Sequence, residues 1–257
     1  MLTSVQQHLH ARSVTLLAGL EARLPRVAGW WIGLALLASA LRIVTSPLPG
    51  GMPDLAMVLP YVLLVAAPAV SLWLALGWFA DGADQPQPAT RLARVGGWRA
   101  VSTIEQRRHP LYGTSGFMVS LLVGMLLNVP IRALEYWAGV PAMSGAAPHW
   151  ARSLHLMMSL DVVLLSSLYV VAFAAALRKV PLFPRLLAAI WGIDLFMQVA
   201  IADVVTRTPG LPAGVAQALH TILGNNVEKT LISVALWLPY LLLSTRVNLT
   251  YRKRLPA

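Results

Sequence analysis

The chain of 257 residues contains no cysteine, which excludes disulfide bonds, thiol nucleophiles and cysteine-ligated metal sites. Charged residues make up only 12% of the sequence, against about 25% in soluble domains. Acidic residues are the scarcest, with ten aspartates and glutamates against 20 lysines and arginines, which gives a net charge of +10. Hydrophobic residues reach 57%. This balance excludes a disordered or collagen-like chain and favours a multi-pass membrane protein over a soluble enzyme.

The sequence contains several long apolar segments. A membrane-spanning helix needs about 20 mostly apolar residues, and six segments meet or approach that length. They cover residues 28–44, 57–80, 115–131, 154–177, 186–205 and 230–245. The second and fourth are the longest, with 24 residues each. The sequence therefore predicts an all-α, polytopic membrane bundle of six transmembrane helices.

Basic residues are unevenly distributed among the segments that connect these spans. The N-terminal arm, the loops after the second and fourth spans and the C-terminal segment hold 15 of the 20 lysines and arginines. Because cytoplasmic loops are enriched in these residues, both termini are predicted to lie in the cytoplasm, at a bacterial inner membrane. The bilayer and its anionic lipids then account for the positive charge, without nucleic acid. Cleavage of the first span as a signal peptide is the alternative, although 27 residues precede that span.

Four regions follow from these patterns. Residues 1–27 are predicted to form a cytoplasmic amphipathic arm, with a loose arm as the alternative. Residues 28–80 form a two-helix membrane unit. Residues 81–112 form a basic cytoplasmic loop that opens with the linker sequence Asp-Gly-Ala-Asp-Gln-Pro-Gln-Pro. Residues 113–251 form a four-helix membrane domain.

Three motifs of this four-helix domain occur in a distinctive order. The first runs from Gly113-Thr114-Ser115-Gly116-Phe117 to Pro130-Ile131-Arg132. The second joins Leu168-Tyr169 to the turn Arg178-Lys179-Val180-Pro181-Leu182-Phe183-Pro184. The third closes the last span with Trp237-Leu238-Pro239-Tyr240, Ser244-Thr245-Arg246-Val247 and Thr250-Tyr251.

In this order the motifs resemble the domain of unknown function 2569 family, over about residues 113–251. Two positions depart from the family pattern, because Asn248 stands where lysine is usual and Tyr251 where phenylalanine is usual. The resemblance implies a small helical inner-membrane protein, mostly bacterial, and it implies no activity. Residues 1–112 are an addition to the four spans of the family.

The closing motif is the candidate motif for an interface at the end of the last span. Pro239 removes a backbone donor and is predicted to kink the helix. Trp237 and Tyr240 lie within a turn of that kink, where packing is the commoner role for such side chains. Ser244 and Arg246 fall at the predicted cytoplasmic boundary, where Arg246 either anchors the helix or binds lipid phosphates.

Two acidic residues lie deep within predicted spans, Asp161 in the fourth and Asp194 in the fifth. A charge at this depth costs about 2.5–3.5 kcal/mol on insertion scales, so each needs a partner or a function. Antiparallel helices bring the two carboxyl groups close enough to share a proton, as a proton relay requires. The structural alternative is a pair of hydrogen-bonded acids facing the bundle interior. Gln198 follows Asp194 by four residues and is predicted to share its face.

Two further features complete the candidate polar site. His155 shares a stripe with Ser159 and Ser166 in the fourth span, and helical angles separate it from Asp161. Small or polar residues follow one face of the third span at a strict spacing of four, namely Gly116, Ser120, Gly124 and Asn128. Such a face is typical of close helix packing within the chain, and lining a polar cleft that opens outward is the alternative.

No catalytic residue is predicted, because the sequence has no phosphate-binding loop and no nucleophile motif. No metal site or cofactor is predicted either, because the histidines lack compact ligand spacing. These patterns favour a non-enzymatic accessory or assembly partner of a membrane complex. One alternative is a small proton-coupled carrier that uses Asp161 and Asp194. The other is a membrane-embedded enzyme for an apolar substrate that uses these acids with His155.

Overall fold

The computed structural model describes residues 2–46, 53–89 and 95–257, and of residues 2–18 it describes the backbone alone. The protein is 77% helical. Within the described ranges the helices are α1 (Leu2–Thr45), α2 (Leu55–Trp78), α3 (Thr103–Arg108), α4 (Phe117–Gly139), α5 (His149–Leu177), α6 (Phe183–Thr206), α7 (Ala213–Leu243) and α8 (Thr245–Arg252). A short 3-10 helix, Gly82–Asp84, and two strands, β1 (Trp98–Ala100) and β2 (Arg254–Pro256), complete the elements.

Five described helices are long and apolar enough to cross a membrane, or six if α7 and α8 form one span. The helical membrane fold predicted from hydropathy is confirmed at this level. The predicted break between an N-terminal arm and the first span is absent, because α1 continues through Pro25 and its apolar part is Gly19–Thr45. The sixth helix also begins earlier than predicted, at Ala213 instead of residue 230.

Helix α5 is the centre of the bundle and packs against α2, α4 and α6. Its second half carries the small residues Ala172, Ala174, Ala175 and Ala176, all fully buried, so neighbouring helices approach its backbone closely. Helix α1 packs on α2 and α4, where the Trp137 indole N–H donates to Ser39 Oγ at 3.2 Å. Helix α7 packs on α6 and leaves a groove between itself and α4.

One end of the bundle, here called the basic end, joins two segments that are distant in sequence, residues 98–106 and 249–256. Strand β1 pairs antiparallel with β2, with Arg99 opposite Leu255. The buried Gln106 Nε2 donates to the carbonyl oxygens of Leu249 and Thr250 at 2.7 and 3.0 Å. The predicted basic loop 81–112 therefore contains a helix and a strand, and this small sheet is a departure from the all-α prediction. Strands of three residues give no hydropathy signal of their own.

Helices α7 and α8 meet at Ser244 with a bend of 70°. Helix α7 continues through Pro239, where the sequence predicts a kink, and ends at Leu243. The buried Asn248 stabilises the bend, because its Nδ2 donates to the carbonyl oxygens of Leu242 and Ser244 at 2.8 and 3.0 Å. The Leu242 carbonyl lies where the helical ladder is interrupted, so the Asn248 side chain supplies its donor, whereas the Ser244 carbonyl also accepts from the Asn248 amide.

The opposite end of the bundle joins the segment before α2 to the segment after α4. Arg42 Nε donates to the Val140 carbonyl at 3.1 Å, and Ser46 Oγ accepts from the Ala142 amide at 3.0 Å. Asp54 caps α2 by accepting from the Met57 amide. The two ends of the bundle are thus distinguished by composition, since the basic turn 178–185 and the basic C-terminal segment both belong to the first.

Candidate functional site

The two acidic residues singled out in the sequence meet at one arginine in the bundle interior. Arg132 of α4 donates from Nη1 to Asp161 Oδ2 at 3.0 Å and from Nη2 to Asp194 Oδ2. Its Nε donates to Asn128 Oδ1, one turn earlier on α4, at 2.9 Å. Asp161 belongs to α5 and Asp194 to α6, so one guanidinium joins three helices. The expected proximity of the two acids is present, and a cation lies between them.

Neutral side chains complete this arrangement. Gln198 Nε2 donates to Asp161 Oδ1 at 3.2 Å and to Asp194 Oδ1 at 3.4 Å, as its position four residues after Asp194 predicts. Tyr169 donates to Asp194 Oδ2 at 3.2 Å. Asn226 of α7 donates to Gln198 Oε1 at 3.3 Å. Together these residues form what is called the ionic cluster below: Asn128, Arg132, Asp161, Tyr169, Asp194, Gln198 and Asn226.

The ionic cluster is buried and lies near the middle of its helices. Asp194 is 1% exposed and is the twelfth of the 24 residues of α6. Asp161 is 6% exposed and is the thirteenth of the 29 residues of α5. With both carboxylates ionised, one guanidinium faces two negative charges, and the cluster carries one excess negative charge. Buried charges need compensation, so this excess makes the cluster a site that gains by accepting one cation or proton.

Two cavities adjoin the ionic cluster in the groove between α4 and α7. The larger has a volume of about 390 Å³ and is lined by Asp161, together with Tyr136, Val140 and Ile222. The smaller has a volume of about 60 Å³ and is lined by Asp194. The larger cavity is big enough for a small solute, whereas the smaller one holds about two water molecules.

His155 lies in a separate buried cluster. Its Nε2 is 3.2 Å from the Tyr136 hydroxyl, which is also 2.7 Å from Ser159 Oγ. The ring of Tyr61 packs against both, with ring centroids 5.7 Å from Tyr136 and 6.3 Å from His155. The structure therefore groups His155 with Tyr136 and Ser159 instead of Asp161, as the helical angles predicted. An acid–base pair of His155 and Asp161, which the enzyme hypothesis needs, is not among its contacts.

Among the described residues, no helix packs on the small-residue face of α4 at Ser120 and Gly124. Gly116, Ser120 and Gly124 are exposed, and a Cβ added to either glycine has no other atom within 4 Å. The predicted intramolecular packing face is thus corrected. Small residues let a helix approach, but α7 packs on α6 and leaves this face open. Asn128, the last residue of the stripe, contributes to the ionic cluster and lines the smaller cavity.

The closing motif joins the basic end to the start of α4. Trp237 and Tyr240 pack edge to face at 5.9 Å, and Tyr240 packs on Phe117 at 6.4 Å. Arg246 donates from Nη1 to the Leu111 carbonyl at 3.2 Å and to Ser115 Oγ. Its observed role is therefore a link within the chain, which neither of the two sequence interpretations included.

Of the three motifs that carry the family resemblance, the third contacts each of the other two at the basic end. Thr250 Oγ1 accepts from the Gly113 amide at 3.0 Å. The Tyr251 hydroxyl donates to the Ala176 carbonyl at 2.9 Å, and its ring lies 5.0 Å from that of Phe183. Gly113 and Gly116 have φ angles of +107° and +63°, a region that favours glycine, so both glycines of the first motif have a conformational reason.

Sequence reasoning missed three members of the ionic cluster: Arg132, Tyr169 and Asn226. Arg132 followed the end of the predicted third span, so it was counted among connecting residues, whereas α4 continues to Gly139. Its spacing of four from Asn128 was the available signal. Asn226 lay in a predicted loop that proved to be the first half of α7. Tyr169 gave no signal beyond its place in the second motif.

Within the described ranges, no group of three or more metal-ligating side chains is arranged to hold an ion. Comparison with known proteins found no matching family model, no matching curated protein and no matching solved structure. The functional conclusion therefore depends on the geometry of the ionic cluster and the cavities beside it.

Proposed function

We propose that the protein is a small membrane-embedded carrier that couples movement of a solute to movement of a proton. The observation that supports this function is the buried ionic cluster, in which Arg132 faces the two carboxylates of Asp161 and Asp194 beside a cavity of about 390 Å³. Ionisable residues inside spans most often line ion or substrate pathways. The solute stays unspecified in this proposal.

The excess charge is what makes the cluster responsive. Uptake of one proton by either carboxylate brings the cluster from a net charge of −1 to neutrality. Neutralisation weakens the attraction of Arg132 for the protonated acid, and α5 and α6 then have one electrostatic contact fewer with α4. A single proton thereby changes how three helices are held together, which is the coupling that a carrier needs.

Two contacts support the proposed orientation, with both termini in the cytoplasm of a bacterial inner membrane. Glu21 pairs with Arg178 at 3.1 Å, and β1 pairs with β2, so α1, the 178–185 turn and the C-terminal segment share the basic end. Segments on one side must be separated by an even number of crossings. Reporter fusions after Ala257 and after Pro148 test the orientation, and an external signal at Ala257 contradicts it.

Proton uptake by the cluster is measurable without knowledge of the solute. Purified protein is reconstituted on a solid-supported membrane, and the charge displaced by a step from neutral to acidic buffer is recorded. The wild type is expected to give a transient current. Asp161→Asn and Asp194→Asn each remove the excess negative charge, so both variants are expected to fall to the level of protein-free membrane.

The matched control is Asp203→Asn, on the same helix as Asp194. Asp203 is half exposed and pairs with Arg207 at 2.6 Å, so its loss leaves the buried cluster intact. A displaced charge equal to the wild type is expected for this variant. If the two cluster variants also retain the wild-type current, the cluster does not exchange protons and the carrier function fails.

The second candidate function is an accessory or assembly partner of a membrane complex. The exposed face of α4 at Ser120 and Gly124 favours it, because small residues let a helix of another protein approach closely. Gly124→Leu fills this face without touching the ionic cluster. Crosslinked co-purification from native membranes tests the candidate, since a partner held at this face is lost in the variant and retained in Asp161→Asn.

The family resemblance over residues 113–251 also stays a proposal. Contacts among the three motifs support it, because residues that pack together constrain one another. Asn248, one of the departures from the family pattern, bonds the carbonyls exposed at the bend. An enzyme built on His155 and Asp161 is not proposed, because the structure holds the two residues in different clusters.

A further inference from the structure

The two cavities are stacked along the groove between α4 and α7. On α4, the smaller cavity reaches Asn128 and the larger one reaches Val140, just beyond the end of the helix. On α7, the larger cavity begins at Ile222 and the smaller one ends at Ser233. Since α4 starts and α7 finishes at the basic end, the smaller cavity is the one nearer to that end.

Four residues line both cavities and form the partition between them. They are Arg132 and Glu135 of α4, and Asn226 and Lys229 of α7. Lys229 Nζ donates to Glu135 Oε1, which bridges the two helices across the groove. The partition therefore consists of an ion pair on the groove side and the Arg132 guanidinium on the interior side.

Each carboxylate of the ionic cluster lines only one of these two cavities. Asp161 lines the larger cavity and Asp194 the smaller one. Oxygens of both acids accept hydrogen bonds from the same nitrogen of Gln198, at 3.2 and 3.4 Å. The two acids are thus close to each other, yet they are reached from opposite sides of the partition.

We infer that Glu135 and Lys229 form a gate between two half-channels, one leading to Asp161 and the other to Asp194. This inference rests on the proposed carrier function. A proton first binds the Asp161 carboxylate and then passes to Asp194. The O–H bond on Asp161 breaks, an O–H bond on Asp194 forms, and the negative charge returns to Asp161. Arg132 stays protonated throughout, and its fixed charge repels other cations from the crossing point.

The Glu135–Lys229 pair and the Arg132–Asp194 pair meet at the partition and differ in strength, as a gate requires. The Glu135 and Lys229 side chains are 45% and 59% exposed, so their pair is weakly held. The Arg132 and Asp194 side chains are 12% and 1% exposed, and parting them leaves a buried charge without a partner. The outer pair can therefore separate and join the two half-channels on the groove side of the partition, while Arg132 stays between the two carboxylates.

Cysteine accessibility tests the gate directly, because the chain has no native cysteine. Asn225→Cys places a thiol in the larger cavity and Ser233→Cys places one in the smaller cavity. Whole cells and inverted membrane vesicles are treated with a membrane-impermeant sulfonate thiol reagent. We expect Asn225→Cys to react from one side of the membrane and Ser233→Cys from the other. Exposed Ala146→Cys and Ala257→Cys report the two sides independently.

Removal of the gate charge is expected to join the two half-channels. In the Ser233→Cys background, Glu135→Gln should raise labelling from the side that reaches Asn225→Cys by about fivefold, the scale set by loss of an exposed ion pair. The charge-swapped variant, Glu135→Lys with Lys229→Glu, should restore the wild-type labelling rate. Asp203→Asn, which breaks the exposed pair with Arg207 on α6, should leave that rate unchanged.

The outcomes separate the gate from the carrier function. The gate is overturned if both cysteines react from the same side, or if Glu135→Gln leaves the labelling of Ser233→Cys unchanged while the variant stays monodisperse in detergent. Failure of the carrier function is detected in a different measurement, because the wild type then gives no proton-driven charge displacement. A charge-swapped variant that restores the labelling rate supports the gate, and one that labels as fast as Glu135→Gln overturns it.

Discussion

The ionic cluster and the polar residues of the basic end are both buried, but they form different kinds of hydrogen bond. In the ionic cluster, Arg132 bonds to side chains, which are the neutral Asn128 of its own helix and the charged Asp161 and Asp194 of two other helices. At the basic end, the neutral amides of Gln106 and Asn248 bond to backbone carbonyls. We call these two amides and the segments they join the C-terminal clamp. Bonds to carbonyls do not depend on a proton, whereas bonds to carboxylates do.

This difference assigns the two regions to different tasks. The C-terminal clamp keeps the same bonds at any pH near neutrality, so it fixes the positions of α8, β1 and β2. In the proposed carrier function, the ionic cluster binds or releases one proton, so it is the region in which we expect the helices to rearrange. Variants that remove the bonds of one region and keep those of the other test this difference.

The largest effect is expected from Arg132→Leu. It leaves two carboxylates buried without a cation, and breaking a buried ionic arrangement costs about 3–5 kcal/mol of unfolding free energy. Thermal unfolding in detergent, followed by tryptophan fluorescence, measures the loss. Adding Asp161→Asn and Asp194→Asn to Arg132→Leu should recover much of it, because the unpaired charges are then gone. An unchanged midpoint in Arg132→Leu alone contradicts a charged cluster.

A smaller, local effect is expected from Asn248→Ala. The substitution removes the Nδ2 donor of the Leu242 and Ser244 carbonyls, although the Ser244 carbonyl keeps the Asn248 backbone amide. It also removes the acceptor of Arg254 Nε, which lies 2.7 Å away. Loss of such buried bonds costs about 1–3 kcal/mol. Hydrogen exchange should accelerate in residues 245–257 and stay unchanged in α5. Proton-driven charge displacement should also be retained, and its loss would show that the two regions are not independent.

The smallest effect concerns Asp54 at the opposite end. Hydrogen bonds from the backbone amides of Gly145 and Met57 hold the pKa of Asp54 below its ordinary value of 3.8. A lowered pKa in the folded state contributes stability above pH 3.8, and this contribution disappears as the pH falls through the folded-state pKa. Asp54→Asn, which resembles the protonated acid, should therefore lower the unfolding midpoint at neutral pH. The difference from wild type should vanish in acid, and a constant difference contradicts the assigned bonds.

Hydropathy predicted the membrane helices because each apolar run is long, and it found Asp161 and Asp194 because a charge inside such a run is conspicuous. Hydropathy gave the wrong helix bounds where charged residues lie within a helix. The third span was predicted to end before Arg132, and the polar residues from Ala213 to Lys229 were predicted as loop, although both stretches are helical. A charged residue has the same hydropathy whether or not it is paired inside a bundle. Because pairing depends on the fold, hydropathy could not place these residues in helices.

The links at the basic end could not be predicted for another reason. Gln106 is one polar residue in a polar loop, and nothing local distinguishes it from its neighbours. Its partners, the Leu249 and Thr250 carbonyls, are backbone atoms that any sequence supplies. The exposed face of α4 shows the converse, since the spacing of Gly116, Ser120 and Gly124 is visible in the sequence, but spacing alone could not show that the described helices leave Ser120 and Gly124 uncovered.

The pairing of β1 with β2 has a consequence for the order of events during synthesis. About 150 residues separate the two strands, so β1 emerges from the ribosome on the order of ten seconds before its partner. Four membrane helices are inserted in that interval, while the edge of β1 has no strand beside it. The arginines around this strand keep the waiting segment in water and away from the edges of other chains. Closure of the sheet is thus a late step, after the helices that it fastens together are already in place.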